Sequence, residues 1–223
     1  MLNVSPLCTK KGFKTEQEVF WYGDFGDEYV DRNDGMELLG SKTALFARML
    51  NNKHGIDTMV EFGSNIGLNI FALKRLLPKV AASAIEINEK AASKLREQYV
   101  SLFREEIKIY NQSILDFEVD YKRTLSLISG VLIHINPECL KNVYKKLYDS
   151  SSKYIIMSEY CSPVPTEVLY RGHSGKLFKR DFAGEILDMY PDLRLADYGF
   201  AYHRDKMFPQ DDVNWFVLEK IKD

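Results

Sequence analysis

The stretch TMVEFGSNIGLNIFALKRLL, residues 58–77, constrains this chain more than any other. It begins as a short apolar run of strand type and breaks at Gly63 and Gly67. It then continues with Ile70, Phe71, Leu73 and Leu77 at helical spacing until Pro78 halts it. A buried strand that turns at once into a helix is the repeating unit of a parallel sheet, because strands that run the same way need a crossover between them, usually a helix.

The same alternation fills most of the chain. Upstream, GMELLGSKTALFARMLNN puts Leu38, Leu45 and Met49 at helical spacing, with Gly55 as the expected stop. Downstream, VAASAIEI predicts a second strand, and Asn88 caps a helix with Ala92, Leu95, Tyr99 and Leu102 on one face. EIKIYNQSIL predicts a third strand, TLSLISGVLIHI a fourth and KYIIMSEY a fifth. Between the last two, Asn136-Pro137 opens a helix that carries Leu140, Val143, Tyr144 and Leu147. CSPVPTEVLYRGHSGKLFKRD has no period and reads as a long functional loop. A helix from about Phe182 to Tyr190 follows, then LRLADYGFAY and VNWFVLEKI, two strands joined only by HRDKMFPQDD and therefore antiparallel. The expected fold is α/β: a doubly wound, Rossmann-like sheet of seven mostly parallel strands with an antiparallel last strand and helices on both faces. Residues 1–35 read as an irregular cap with one short helix, and residues 36–223 as a single domain.

Composition narrows the partners. With 45% hydrophobic and 28% charged residues the chain is neither disordered nor membrane-like, and no apolar run approaches a bilayer span. The first residues lack a signal-peptide centre, so a cytoplasmic location is expected. Cys8, Cys139 and Cys161 are too few and too scattered for a disulfide framework or a zinc site, and reduced structural thiols are expected. A net charge of −2 without basic runs favours a small-molecule partner over nucleic acid. Asp211 and Asp212 suggest magnesium, but adjacent carboxylates alone do not supply near-octahedral geometry. No metal is expected, and the pair reads as a turn and strand start.

In a doubly wound sheet the first strand-to-helix turn approaches the ligand most closely. Gly63 and Gly67 occupy that turn, and Glu86, at the end of the second strand, stands where an acidic residue accepts ribose hydroxyls. These parts match an adenosine site. A dinucleotide needs G-x-G-x-x-G for its pyrophosphate, and here Asn65 and Leu68 interrupt that pattern. A sulfonium nucleoside carries no phosphate and tolerates the bulkier Asn65.

With EFGSNIG in this context the chain resembles the class I S-adenosylmethionine-dependent methyltransferases, whose first motif is acidic-x-Gly-x-Gly-x-Gly. Glu61, Gly63 and Gly67 match, with Asn65 at the middle glycine. A closer resemblance, carried by FWYGDFGDEYVDRN, GVLIHINP, YRGHSGKLFKRDFAGE and FPQDDVNWFVLEK, is to the methylases associated with pseudaminic acid biosynthesis. The resemblance implies S-adenosylmethionine as cofactor, with Gly63, Ser64, Asn65 and Gly67 beside its methionine moiety and Glu86 on its ribose. Ser113 and Ile114 would flank the adenine, although the acidic residue often found at the position of Ser113 is missing. Ser129 and Gly130 would lie under the methionine carboxylate and sulfonium.

The acceptor side is read from residue chemistry. His134 ends an apolar run at the sheet's ligand edge and is either a structural histidine or a base that takes a proton from an acceptor hydroxyl or amine. Tyr170, Arg171, His173, Lys179, Arg180 and Asp181 make the long loop an expected acceptor lid. His173 and Tyr170 join His134 as catalytic candidates, while Arg171, Lys179 and Arg180 are set to meet a carboxylate or phosphate. Trp21, Tyr22, Phe25 and Tyr29 read as a hydrophobic latch, with Tyr22 as a substrate-contact candidate and Asp24, Arg32 and Asn33 as its polar members. The expected activity is methylation of oxygen or nitrogen on a small, polar, anionic metabolite such as a surface-glycan sugar or nucleotide-sugar. The rival readings are an inert methyltransferase-like binding protein and a nucleotide-dependent oxidoreductase.

Overall fold

The computed structural model describes residues 12–32 and 35–221; Cys8 and Asn33 lie outside them. Seven strands form one sheet: β1 (Thr58–Phe62), β2 (Ala81–Ile85), β3 (Lys108–Tyr110), β4 (Arg123–Ser129), β5 (Ser151–Glu159), β8 (Leu193–Ala201) and β9 (Val213–Lys220). Their order is β3-β2-β1-β4-β5-β9-β8. The strands from β3 through β5 pair in parallel, and β9 runs antiparallel to both β5 and β8.

Residues alternate between the two faces as the pleat requires. Met59, Leu125, Leu127, Ile156 and Val217 join one core with Phe46 and Met49 of α3 (Leu39–Met49), Phe71 of α4 (Leu68–Leu76) and Leu95 of α5 (Glu89–Phe103). Val60, Phe62, Ile128, Met157 and Leu218 join the other, with Leu140 and Leu147 of α6 (Leu140–Ser150) and Phe182 and Ile186 of α7 (Phe182–Met189). Burial on both faces explains why the strands read as nearly continuous apolar runs.

Four local expectations are corrected. The front segment holds two helices, α1 (Glu16–Tyr22) and α2 (Asp24–Arg32); α1 starts at a capping box between Thr15 and Glu18. α3 ends at Met49, and left-handed Asn52 (φ 58°) turns the chain before Gly55 is reached. The third strand is only Lys108–Tyr110, the three residues that pair with Ser83–Ile85 of β2. The fourth strand stops at Ser129, where Gly130 (φ 66°) breaks it and Leu132–His134 forms a 3-10 turn.

The long loop is itself structured. Thr166–Tyr170 (β6) and His173–Lys179 (β7) pair as an antiparallel hairpin. Its two-residue turn, Arg171-Gly172, has φ of 49° and 86°. Positive φ at both central positions matches the twist of the flanking strands. An arginine in the first position carries none of the usual Asn-Gly signal, which is why the sequence hides the turn.

Candidate active site

At the carboxyl edge of the parallel strands lies a cavity of 530 Å³. Gly63, Ser64 and Asn65 of the β1–α4 turn line it, as do Glu86 after β2, Ser113 and Ile114 after β3, and Ser129 and Gly130 after β4. Eight of the nine residues read from the sequence as cofactor contacts are thereby brought together.

Gly67 is the exception: it does not line the cavity. It caps α4 at φ 87°, and a Cβ there would stand 2.8 Å from Leu95 Cγ on α5. At Gly63 (φ 71°) a Cβ would stand 2.7 Å from Val131 Cγ2. Both glycines therefore make room for protein, letting the turn lie against α5 and the loop after β4. The N–H groups of Gly63 and Ser64 donate to Ile85 O at 2.9 and 3.1 Å, which fixes the turn to β2.

Glu86 is held by the same turn. Its carboxylate accepts from Asn65 N at 2.6 Å and Asn88 N at 2.8 Å, while burial pushes its proton affinity up against those bonds. The backbone of Asn65, at φ 46°, makes the contact.

Behind the turn lies a polar relay whose other members the sequence reading passed over. Asn69 donates to Glu61 Oε1 at 2.6 Å and accepts from Lys42 Nζ at 2.8 Å. Lys42 and Asn69 line the cavity. Burial pushes Glu61 up to about 8 and Lys42 down from its ordinary value. Glu61 Oε2 and Ser64 Oγ are buried without a hydrogen-bond partner among the described residues. Ser64, Lys42 and Asn69 line the cavity while Glu61 stands behind them; the Ser64 hydroxyl lacks a partner among the described residues and the Lys42 ammonium suits a carboxylate, so the lining fits the amino-acid tail of S-adenosylmethionine.

On the acceptor side, His134 lines the cavity from the 3-10 turn. Its ring packs against Trp21 and Tyr170, at centroid distances of 4.7 and 4.8 Å. Nδ1 lies 2.5 Å from Lys176 O, so Nδ1 carries the proton and Nε2 the lone pair. Burial lowers the ring's pKa to about 4, leaving it neutral near pH 7. Glu159, at the end of β5, holds this turn by accepting from Val131 N and Leu132 N at 3.0 and 3.1 Å.

The remaining acceptor candidates lie outside the cavity lining. Tyr170 packs on Trp21 and His134 from behind, and His173 is exposed against Phe20 and Phe25. Arg171 sits on the hairpin turn, Lys179 lies 5.2 Å from the Tyr160 ring centre, and Arg180 Nε binds Glu185 at 2.6 Å. Tyr22 packs on Phe13. The β8–β9 loop instead brings Asp211 into the lining, where it bonds the Tyr160 hydroxyl; Asp212, its neighbour, pairs with His203 at 2.8 Å. A carboxylate read as a turn residue thus faces the ligand space. Position along the chain gave no hint of this, because loop and cavity meet only once the sheet is assembled.

The architecture is shared with solved structures. A Leishmania major S-adenosylmethionine-dependent methyltransferase superposes with a TM-score of 0.67 at 13% identity, covering 91% of this chain and 81% of its own. The fold is that of S-adenosylmethionine-dependent methyltransferases. The magnesium protoporphyrin IX methyltransferase of Synechocystis, solved with S-adenosylhomocysteine, gives 0.66 at 14% identity over 92% and 100% of the two chains. The 1,6-didemethyltoxoflavin-N1-methyltransferase of Burkholderia thailandensis, also with S-adenosylhomocysteine, gives 0.65 at 12% over 92% and 85%. No protein-family model matches the chain, and no curated protein matches it by sequence.

Proposed function

We propose that the protein is an S-adenosylmethionine-dependent methyltransferase acting on oxygen or nitrogen of a small polar metabolite. The observation that carries this reading is the cavity at the carboxyl edge, where the β1–α4 turn, Glu86 and the Lys42–Asn69–Glu61 relay converge. The cofactor supplies a methyl group made electrophilic by its sulfonium. Glu86 would hold the ribose and Lys42 and Asn69, backed by Glu61, would hold the zwitterionic tail, while Asn65 orients Glu86 through its backbone N–H. Trp21 and His134 exclude water and align the acceptor, the larger catalytic contribution. His134 Nε2, which carries the ring's lone pair, would take the proton that the acceptor hydroxyl or amine gives up.

Within that activity we take the acceptor to be a surface-glycan sugar or its nucleotide-activated precursor. The sequence resemblance to pseudaminic acid-associated methylases supports this class. Arg171, exposed on the hairpin turn, is the cation we assign to an anionic group of that acceptor. Residues 1–35 act as the cap and the remainder as the catalytic domain.

The test is calorimetric titration with S-adenosylmethionine, followed by a labelled-methyl assay on an extract of the source cell with mass identification of the product. No binding would sink the reading, and binding without transfer to any acceptor would make the protein an inert relative. Arg171→Ala should raise the acceptor KM, and an unchanged KM removes the anionic-acceptor assignment.

A further inference from the structure

Proceeding from the base end of the cavity, and resting on the cofactor reading above, we propose that α1 belongs to the cofactor site. Glu18 accepts the exocyclic amine of the purine, and docking of α1 on the nucleoside sets Trp21 beside His134 as the wall that receives the acceptor.

The strand order β3-β2-β1-β4 puts the loops after these strands in a row, about 4.8 Å apart. If Glu86 after β2 meets the ribose, the loop after β3 lies one step further out, at the base. There the chain offers Ser113, a neutral hydroxyl. Glu18 brings a carboxylate to the same point of the lining, because the Ser113 hydroxyl donates to its Oε1. The other oxygen, Oε2, is occupied by Lys14 N at 2.7 Å and Thr15 N at 2.8 Å. Oε1 keeps acceptor capacity on the cavity side.

Two further atoms of α1 point to a ligand. Gln17 Oε1 and Trp21 Nε1 are buried without a hydrogen-bond partner among the described residues, and both side chains line the cavity. Glu18 and Trp21 stand three residues apart on the helix and so share a face. One end of that face meets Ser113, and the other meets His134 at 4.7 Å. α1 is clamped at both sides: Lys14 Nζ pairs with Asp116 at 2.7 Å in the β3 loop, and Gln17 Nε2 donates to Gly175 O at 2.8 Å in the hairpin. Contact of Glu18 with the nucleoside adds a third tie on the same helix face, beside the wall that Trp21 and His134 form.

The experiment uses the full chain carrying Trp215→Phe, which leaves Trp21 as the single tryptophan of the two in the sequence. S-Adenosylhomocysteine is titrated while Trp21 emission and amide exchange over residues 16–22 are followed. Glu18→Gln is the companion variant, since glutamine keeps the capping box intact. The expected result is a ligand-dependent change in Trp21 emission, slowed exchange in α1, and affinity weakened by about 10- to 100-fold in Glu18→Gln. S-Inosylhomocysteine, with a carbonyl in place of the amine, should bind the parent protein with the same loss and Glu18→Gln with none further. Equal S-adenosylhomocysteine affinity in the two proteins, or unchanged exchange in α1, would overturn the inference alone. Failure of the parent protein to bind S-adenosylhomocysteine would overturn the methyltransferase reading as well.

Discussion

Replacing Glu159 should loosen the turn that carries His134, and the structure sets how much. The side chain is 2% exposed; Oε1 accepts from Val131 N and Leu132 N, and Oε2 from Ile133 N at 3.5 Å. Glu159→Ala strands these three N–H groups, at about 1–3 kcal/mol each, so a loss on the order of 3–9 kcal/mol is expected. Glu159→Gln can keep its carbonyl oxygen on Val131 and Leu132 and forfeits only the long bond to Ile133, a loss of about 1 kcal/mol. At roughly 2–4 °C per kcal/mol for a chain of this size, alanine should lower Tm by about 10 °C or more and glutamine by a few degrees. A pH series adds a second reading. Burial pushes Glu159 from 4.5 up to about 7, against the backbone N–H bonds that favour its charged form. Between these values the folded protein holds a proton that the unfolded chain has released. This contribution is therefore complete below pH 4.5 and is lost as pH rises through 7. The interval is worth about 3 kcal/mol at roughly 1.4 kcal/mol per pH unit, and glutamine cannot titrate. Urea denaturation of the wild type and both variants from pH 4.5 to 8 measures both effects. Equal losses for alanine and glutamine, or parallel pH curves for wild type and Glu159→Gln, would refute the assignment of Glu159 as the anchor of this turn.

Gly67→Ala forces a Cβ against Leu95 at φ 87° and should cost about 1–3 kcal/mol, read by thermal unfolding; a neutral result would show that the turn relaxes freely. Lys42→Met leaves the relay without its cation and should weaken S-adenosylhomocysteine about tenfold by calorimetry, with Glu61 pushed above its present value of about 8. His134, lowered from 6.5 to about 4, binds its proton only in the unfolded chain between those values. Stability should thus fall on acidification from pH 6.5 to 4, and His134→Gln should flatten that slope in circular-dichroism melts. For the same reason the transfer rate should show no His134 titration between pH 6 and 8.

Much of the fold was legible because buried strands and amphipathic helices leave periodic marks. Val60 and Phe62, Ile70 and Leu73, and Leu140 and Leu147 each mark an element by their spacing. The hairpin was not legible, since its turn depends on Arg171 and Gly172 adopting positive φ, a choice that pairing of Tyr170 with His173 enforces. On the acceptor side the charged residues of that hairpin looked like a lid by composition. Arg180 binds Glu185 and Lys179 lies over the Tyr160 ring, while Asp211 reaches the cavity lining from a loop about forty residues beyond the hairpin turn.

The sequence by itself determined that the glycine turn and Glu86 meet at one edge of the sheet, because both are local devices placed by adjacent strands at fixed spacing. What Gly63 and Gly67 make room for was decided only by packing: Val131 and Leu95 come from distant segments and fill the space. The carboxylate beside Ser113, the relay from Lys42 to Glu61 and the His134 turn anchored on Glu159 likewise exist only after assembly. Each joins groups from separate elements, and burial sets the charge of those whose proton affinity it shifts. Periodicity encodes the elements, whereas proton affinity and hydrogen-bond partners belong to the low-dielectric space that those elements enclose.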